Sequence, residues 1–248
     1  MNLMGKKKYL ILGASSDVGI EYIEHLIDLG VSACVVGQYR TMCDRIGLLK
    51  EKASGSNIEL TMLQADLNDS QNINCLIESV DEILGCPDLI LHLPASKLHY
   101  RKIKDADWDA VWEDFNIQVI SAGRILSHFL PKMAKNKYGR IIMMLSSVVC
   151  DNPPKFMAEY AIVKNALWGF VKSAALEYGD KNVFVSGLSP RMMETKLLSE
   201  VDEKIIALNA QNSKSGCNYS VRELIPYIDK VFDEESDCYN GVNIYPEN

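Results

Sequence analysis

Hydrophobic and polar residues alternate along this chain in two rhythms. Short, almost continuous apolar runs predict strands of a parallel sheet that is covered on both faces. Longer segments between them carry apolar residues at roughly every third or fourth position, which is typical of amphipathic helices. The strands are predicted over residues 9–13, 34–39, 58–63, 89–93, 140–145, 183–188 and 242–245, and the helices over 20–29, 72–84, 108–133 and 160–178.

The alternation of strands and helices continues through the whole chain. It predicts an α/β fold with a doubly wound parallel sheet, because parallel strands need crossover connections that cover its faces. A length of 248 residues allows one domain or two, since a single α/β domain often reaches ~250 residues. No internal repeat and no Pro/Gly-rich linker divides the sequence. We therefore predict one domain over residues 1–248, with a seven-stranded sheet and helices on both faces.

Charge and cysteine content limit the possible partners and the cellular compartment of the protein. The 26 basic and 33 acidic residues give a net charge of -7, which argues against nucleic acid or an anionic membrane as a partner. The seven cysteines are scattered, without a C-x-x-C pair or a grouping with the four histidines. This pattern predicts reduced thiols in the cytoplasm and no metal site. No apolar run reaches the ~18 residues of a membrane span, and the one after the 6–8 lysine run is too short for a signal peptide.

A glycine-bearing turn follows the first predicted strand and opens the first helix. Gly13 permits a tight turn, and Gly19 permits close approach of helix and strand. The free N–H groups of the helix N-terminus between them suit a pyrophosphate. The sequence therefore predicts a dinucleotide site on the first strand–helix junction. Its predicted residues are Gly13, Ser15, Ser16, Asp17, Val18 and Gly19.

The end of the second predicted strand bears on the choice of cofactor. Enzymes that prefer NAD usually offer an acidic residue there to the ribose 2′-hydroxyl, and residues 36–40 contain none. Arg40 has the bidentate geometry that suits a 2′-phosphate. The sequence thus favours NADP(H) over NAD(H), with a solvated surface arginine as the alternative interpretation.

A tyrosine and a lysine share one face of the last long predicted helix. Tyr160 and Lys164 are four residues apart, a spacing that places side chains next to each other on a helix. A lysine ammonium beside a phenol favours the phenolate, so we expect it to lower the pKa of Tyr160 and tune it for proton transfer. Ser147 follows the fifth predicted strand, 13 residues before Tyr160. The alternative is one more turn of ordinary amphipathic helix.

Taken together, these motifs resemble those of the short-chain dehydrogenase/reductase (SDR) family. The turn is similar to T-G-x-x-x-G-I-G, with Asp17 in place of the middle glycine. Residues 108–116 resemble the W-D-x-V-x-x-V-N helix, and residues 164–177 follow K-A-A-L-x-G-L-T-K-S-L-A-x-E almost throughout. The resemblance covers roughly residues 7 to 246 and looks most like 3-oxoacyl-(acyl-carrier-protein) reductases.

The resemblance implies a single Rossmann-fold domain that reduces a ketone to a secondary alcohol with NADP(H). Tyr160 would act as acid/base and Ser147 would polarise the carbonyl. Lys164 would hold the nicotinamide ribose, and Asn116 would fix a relay water. The resemblance also implies cofactor contacts at Arg40, Asp66, Leu67, Leu93, Ala95, Tyr160, Lys164, Pro190, Met193 and Thr195.

The sequence departs from the family pattern around the site. Leu93 and Pro94 replace the asparagines of V-N-N-A-G, which predicts a different local hydrogen-bond pattern. Arg191 replaces a glycine, where it would contact an anionic substrate, a cofactor phosphate or only solvent. The polar stretch at about 195–220 resembles the family's mobile substrate lid. The terminal glycine pair is missing, so a dimer through the long helices and a tetramer both remain open.

Two functional interpretations remain open at this point. The first is an enzyme acting on a small-molecule or acyl-thioester carbonyl, either a 3-oxoacyl thioester or a sugar or polyketide-type ketone. The second is a non-catalytic NADP(H)-binding sensor or scaffold on the same fold, motivated by Asp17, Leu93, Pro94 and Arg191. The four residues Asn116, Ser147, Tyr160 and Lys164 favour the enzyme.

Overall fold

A computed structural model of the chain describes residues 5–150, 152–213, 215–233 and 236–246. Its strands form one sheet in the order β3-β2-β1-β4-β5-β6-β7, with every neighbouring pair parallel. The predicted seven-stranded doubly wound sheet is confirmed. The strands are β1 Lys7–Leu12, β2 Ala33–Tyr39, β3 Ile58–Gln64, β4 Leu89–His92, β5 Gly139–Met144, β6 Val183–Leu188 and β7 Asn243–Ile244.

The helices cover both faces of this sheet. Strand β1 shows why, because its side chains alternate between two separate apolar cores: Ile11 packs into one and Leu10 into the other. The first core includes α1, α2 and α8, and the second includes α3, α5 and α6. The helices are α1 Asp17–Asp28, α2 Asp44–Ser54, α3 Ser70–Leu84, α4 Trp108–Phe115, α5 Ser121–Asn136, α6 Ala158–Tyr178, α7 Glu203–Asn212 and α8 Val221–Phe232.

Three helices were missed by the sequence patterns, for different reasons. Helix α2 buries only three side chains, and α7 buries none, so neither carries a full apolar stripe. Helix α8 is strongly amphipathic and begins at a capping box formed by Ser220 and Glu223, but Pro226 interrupts its pattern. Among the described helices, none is long and apolar enough to cross a membrane.

The predicted helix over 108–133 is interrupted. Helix α4 ends at Phe115, and a π-helical turn, Asn116–Ile120, leads into α5. The N–H of Ser121 donates to the carbonyl oxygen of Asn116 five residues earlier. A π turn inserts an extra residue and shifts the phase of the side chains that follow. The buried polar residues of this region are Asp114, Gln118 and Ser121.

The strand order places a crevice at the carboxyl ends of the strands. The order reverses between β1 and β4, which pair with each other although they are not consecutive. In open α/β sheets, ligands bind at the carboxyl edge of such a switch point. The loops after β1, β4, β5 and β6 all open at this edge and form the site described next.

Candidate active site

One cavity of about 740 Å³ lies at this edge of the sheet. It extends from the glycine-bearing turn after β1 to the tyrosine and lysine of α6. A cavity of this volume is in the range of small-molecule and cofactor sites. It is lined by every predicted site residue except Gly19 and Asn116.

The turn after β1 has the conformation that the sequence predicted. Gly13 has φ +74°, and a Cβ atom there would lie 3.1 Å from the main-chain nitrogen of Pro94. A Cβ at Gly19 would lie 2.7 Å from Cα of Ala14, so Gly19 acts by letting the helix approach the turn rather than by facing the cavity. Ser16 caps α1 and accepts the N–H of Gly19 at 3.1 Å.

Gln38 braces this turn and was missed by the sequence analysis. Its Oε1 atom accepts the N–H of Gly13 at 2.9 Å, and its Nε2 atom donates to the carbonyl oxygen of Ala65 at 2.7 Å. The side chain is 2% exposed. A buried amide joins the ends of β1, β2 and β3. The sequence feature that could have identified Gln38 is its position as a polar residue near the end of an otherwise apolar strand.

Asp17 occupies the first turn of α1 without capping it. Its Oδ1 atom pairs with Nη1 of Arg45 at 2.6 Å, and Oδ2 accepts the main-chain N–H of Lys196 at 2.9 Å. The negative charge at the helix N-terminus is therefore partly neutralised by a basic residue of α2. Asp17 still lines the cavity, beside the turn.

Arg40 lies at the far end of the cavity between two acidic side chains. Its Nε atom is 3.6 Å from Asp66, and its Nη1 atom is 3.6 Å from Glu113. Arg40 remains 58% exposed, so both ion pairs are weak and screened by solvent. Asp66 also accepts the N–H of Asn68 at 2.9 Å, while Asp69 caps α3. Asp66 is therefore not the residue that caps this helix.

The loop after β4 has main-chain contacts where the family pattern has asparagines. The N–H of Leu93 donates to the carbonyl oxygen of Leu12 at 3.0 Å, and the N–H of Ser96 donates to Oδ1 of Asp114 at 3.0 Å. Leu93 and Ala95 both line the cavity. The carboxylate of Asp114 therefore restrains this loop.

Tyr160 lines the cavity together with Ser146 and Ser147. Burial raises the pKa of Tyr160 to about 12, and a hydrogen bond with Ser146 opposes that rise. The expected lowering of this pKa is therefore wrong for this structure, because removal of the phenolate from water dominates. The phenol stays protonated at neutral pH. The N–H of Ser147 donates to the carbonyl oxygen of Pro190 at 3.3 Å.

Lys164 lies one helical turn after Tyr160 on the same face of α6. Its Nζ atom donates to the carbonyl oxygen of Met144 at 2.8 Å and lies 5.6 Å from the centre of the Tyr160 ring. The side chain is 1% exposed. Burial lowers the pKa of Lys164 to about 8, and the negative charge of Asp114 opposes this shift. The ammonium is therefore the main form of Lys164 at neutral pH.

Asn116 is not brought into the cavity. It starts the π-helical turn, and the buried residues that line the cavity next to it are Asp114 and Ile117. Asn116 was predicted from the resemblance to the W-D-x-V-x-x-V-N helix. In the structure Asp114, which precedes the π turn, lines the cavity and Asn116 does not.

The loop after β6 lines the end of the cavity at which we expect the nicotinamide. Pro190, Met193 and Thr195 line it as expected. Arg191 also lines it, with its guanidinium 5.5 Å from the centre of the Tyr245 ring. Its Nε atom is buried without a hydrogen-bond partner in the described part of the chain. Arg191 is therefore held at the site rather than pointing into solvent.

The segment predicted as a lid covers one side of the cavity. It begins with a short 3-10 turn, Lys196–Leu198, followed by α7. Leu197, Leu198 and Asn209 line the cavity, and the N–H of Leu98 donates to the carbonyl oxygen of Leu197 at 3.1 Å. The lid segment therefore contains a helix and contacts the loop after β4.

The residues present fit a dinucleotide. The cradle at Gly13 accepts no side chain, and the N-terminus of α1 offers N–H groups beside it. The cavity is continuous from this cradle to Lys164. Gly13, Ser15, Ser16 and Val18 would hold the pyrophosphate, Asp66 and Leu67 the adenosine end, and Lys164 the ribose nearest Tyr160.

Comparisons with known proteins agree with this geometry. The model of the short chain dehydrogenase family matches residues 7–206. The 3-oxoacyl-[acyl-carrier-protein] reductase FabG of Aquifex aeolicus is 25% identical over 209 residues, which are 83% of this chain and 81% of that protein. An NAD+-bound xylitol dehydrogenase has a TM-score of 0.85 at 19% identity, covering 96% of each chain.

A second solved structure with the same fold is that of an NADPH-dependent reductase. YwfH, an NADPH-dependent reductase involved in bacilysin biosynthesis, has a TM-score of 0.85 at 18% identity, covering 98% of this chain and 97% of that one. The family model spans most of the sequence, and the fold agrees with that of both solved structures. The chain belongs to the short-chain dehydrogenase/reductase family of oxidoreductases.

Proposed function

We propose that this protein is an NADP(H)-dependent reductase that converts a ketone, a 3-oxoacyl thioester or a similar carbonyl compound, into a secondary alcohol. One observation carries the proposal: Tyr160, Lys164 and the two serines share one cavity with a dinucleotide cradle. When bound, the cofactor supplies a hydride. The rest of the chemistry falls to side chains of this chain.

Tyr160 is the proton donor in this proposal. Its phenol is protonated at neutral pH because burial raises its pKa to about 12, so a proton is available when negative charge develops on the substrate oxygen. Ser147 or Ser146 donates a hydrogen bond to the same oxygen and stabilises the developing charge. The Lys164 ammonium lies close enough to the phenol to stabilise the phenolate left after transfer.

Arg40 supports the preference for NADP(H). It lies at the cavity end beside Asp66 and Leu67, where the adenosine ribose would lie. Its partners Asp66 and Glu113 are 3.6 Å away, so a 2′-phosphate would compete with two loose ion pairs. A doubly charged phosphate in bidentate contact is the stronger partner for a guanidinium.

The remaining assignments concern the whole molecule. Residues 1–248 act as one NAD(P)-binding domain with the segment at about 195–220 as a lid, since α7 buries no side chain of its own. The protein forms a homodimer through the long helical segments 108–133 and 160–178, or a homotetramer. All seven cysteines are free, which supports a reducing, cytoplasmic setting.

The test is NADPH oxidation against a panel of 3-oxoacyl thioesters, sugar ketones and cyclic ketones. We expect turnover with at least one class and a loss of about 10²- to 10⁴-fold in kcat for Tyr160→Phe, the range for removal of a general acid. Tyr138→Phe, a tyrosine outside the cavity, is the matched control. Tight NADPH binding without turnover on any substrate would instead support a non-catalytic sensor.

A further inference from the structure

Arg191 lies in the wall of the cavity without a counter-ion. Its Nε atom is buried and has no hydrogen-bond partner among the described residues, and no ion pair joins its guanidinium to any of them. The guanidinium lies 5.5 Å from the centre of the Tyr245 ring, a cation–π contact that restrains it but supplies no full negative charge. A guanidinium carries five N–H donors in one plane. Most of the hydrogen-bonding capacity of Arg191 is therefore unused within the described chain.

The acidic residues that line the cavity are engaged with other groups. Each pairs with another arginine or accepts hydrogen bonds from amide groups, and none in the described lining lies within ion-pair distance of Arg191. The contacts are those of Asp17 with Arg45, Asp66 and Glu113 with Arg40, Glu159 with Arg101, and Asp114 with the N–H groups of Ser96 and Gln118. The positive charge of Arg191 is thus uncompensated in the described lining.

The loop after β6 crosses the cavity from the serine loop after β5 to the glycine-bearing turn after β1. At its start, the carbonyl oxygen of Pro190 accepts the N–H of Ser147 at 3.3 Å. At its other end, the N–H of Lys196 donates to Asp17 at 2.9 Å, beside the cradle for the pyrophosphate. Arg191 follows Pro190 directly, so it belongs to the end of the loop that is next to Ser147.

The sheet order separates Arg191 from the phosphates of the cofactor. The pyrophosphate cradle follows β1 and Arg191 follows β6, with β4 and β5 between these two strands. Three strand spacings of about 4.8 Å place the two strand ends roughly 14 Å apart. Arg40, the proposed partner of a 2′-phosphate, follows β2 and is farther still from β6. This separation favours an anionic group of the substrate, rather than a cofactor phosphate, as the partner of Arg191.

Apolar side chains surround the substrate end of the cavity. Leu98, Val148 and Met157 belong to a small core cluster, against which Tyr160 and Met192 pack. All five of these residues line the cavity. Because a charge contact is stronger where little water surrounds it, one guanidinium in such a wall discriminates between a charged ligand and a neutral one.

We propose that Arg191 is a specificity-determining residue that binds a carboxylate of the substrate, so that the ketone reduced at this site is an oxo acid. The inference rests on the proposed reductase function and narrows its substrate class to ketones that carry a carboxylate. A guanidinium and a carboxylate meet through two parallel hydrogen bonds. Ser147 contacts the carbonyl oxygen from the adjacent loop, so the two contacts together orient a short oxo acid.

The direct test is a binding measurement that needs no turnover. Short 2-oxo, 3-oxo and 4-oxo carboxylic acids and their methyl esters are titrated by calorimetry into protein saturated with NADP+ or NAD+, whichever binds more tightly. These oxidised cofactors have no hydride to transfer to a ketone. We expect at least one acid to bind at least about tenfold more tightly than its ester, as for a charge-assisted contact. If no acid is preferred over its ester, the inference is wrong.

The variant Arg191→Gln removes the charge and keeps a polar side chain. It should abolish the preference for the acid and leave the Kd of the ester within about twofold of its wild-type value. Arg191→Lys keeps the charge but loses the bidentate geometry, so it should reduce the preference about two- to tenfold. This second variant decides the question if the neutral one does not fold.

Lys196→Gln is the matched control, because it removes one exposed positive charge from the same loop. It should retain the preference for the acid. A preference that survives in Arg191→Gln, or that falls equally in Lys196→Gln, overturns the assignment to Arg191.

Cofactor binding in the same variant tests the other source of an anion. The Kd values of NADP+ and NAD+ should change by less than about twofold in Arg191→Gln, because the pyrophosphate cradle lies three strands away. A loss of about tenfold or more in affinity for either cofactor would assign Arg191 to a cofactor phosphate and overturn the inference.

Kinetics with NADPH distinguish this inference from the proposed reductase function. Turnover of esters or neutral ketones, without a preference for any acid, would leave the reductase function standing and remove the role of Arg191. A preference for an acid in binding, without turnover of any carbonyl compound, would leave the carboxylate site and remove the reductase function. For an acid that is reduced, Arg191→Gln should raise KM by a larger factor than it lowers kcat, because the carboxylate does not react.

Discussion

The carboxylate of Asp17 accepts a hydrogen bond from the main-chain N–H of Lys196, 179 residues later in the chain, at 2.9 Å. Its other oxygen is paired with Arg45. One side chain thus connects the phosphate-side turn, helix α2 and the first residues of the lid segment. The aspartate that replaces the middle glycine of the family's turn thus links the lid segment to that turn in the structure.

Replacing Asp17 should loosen the start of the lid. In Asp17→Ala, the N–H of Lys196 loses its acceptor, and one hydrogen bond of ~0.5–1.5 kcal/mol corresponds to about a two- to tenfold change in the local opening equilibrium. Hydrogen exchange of the Lys196 amide should accelerate by that factor in the protein without cofactor. Asp44→Ala removes a neighbouring exposed acid from α2 and should leave this amide unchanged. Equal exchange in both variants would refute the link.

Arg40 should control the choice between the two nicotinamide cofactors. Removing a charge-assisted contact to a 2′-phosphate costs about 1.5–3 kcal/mol, so Arg40→Ala should raise the KM for NADPH at least about tenfold. The KM for NADH should change little, because NADH lacks that phosphate. Steady-state kinetics with both cofactors measures the ratio, and Lys102→Ala is an exposed control away from the cavity. Comparable NADH and NADPH activity in the unmodified enzyme would end this assignment.

His92 should make the protein sensitive to acid. Burial lowers its pKa in the fold to about 3, whereas the unfolded chain has the ordinary value of ~6.5. Between these values the unfolded state binds a proton that the folded state does not, so the stabilising contribution is present above pH 6.5 and is lost as the pH falls.

The variant His92→Leu should remove this dependence. We compare the free energy of unfolding of His92→Leu with that of wild type at each pH. This difference should be about 2 kcal/mol more favourable to the variant at pH 5 than at pH 7.5, because each unit of pKa difference corresponds to about 1.36 kcal/mol. Urea unfolding at both pH values measures this gain. His25, a half-buried histidine that pairs with Asp229 outside the cavity, is replaced by Leu as the control. Parallel pH profiles of wild type and His92→Leu would show that His92 does not titrate in this way.

An apolar surface on α4 and α6 should mediate self-association. Trp108 and Trp112 are 55% and 64% exposed, and Ile162 on α6 is 44% exposed. Large exposed apolar groups on adjacent helices are typical of an interface. Trp112→Glu should convert the oligomer to a monomer in light scattering after size exclusion, whereas Leu208→Glu on α7 should not. A monomeric wild-type protein would refute the dimer through these helices.

The apolar pattern alone determined the sheet, because a doubly covered parallel strand must be almost continuously hydrophobic. Periods and spacings also predicted the turn at Gly13 and the neighbourhood of Tyr160 and Lys164, since these depend on local geometry. The π turn after Phe115 has no such local signal, and Asn116, with which it begins, does not line the cavity. The contact between Ser96 and Asp114, like that between Asp17 and Lys196, joins segments far apart in sequence.

Burial accounts for the difference between the pKa values expected from the sequence and those in the structure. The sequence showed a lysine next to a tyrosine and therefore predicted a lowered pKa for Tyr160. The tertiary structure removed both groups from water, raised the pKa of Tyr160 and lowered that of Lys164, because desolvation penalises each charged form. Residue types and spacing determined which chemical groups meet, and packing around them decided which of those groups carry charge.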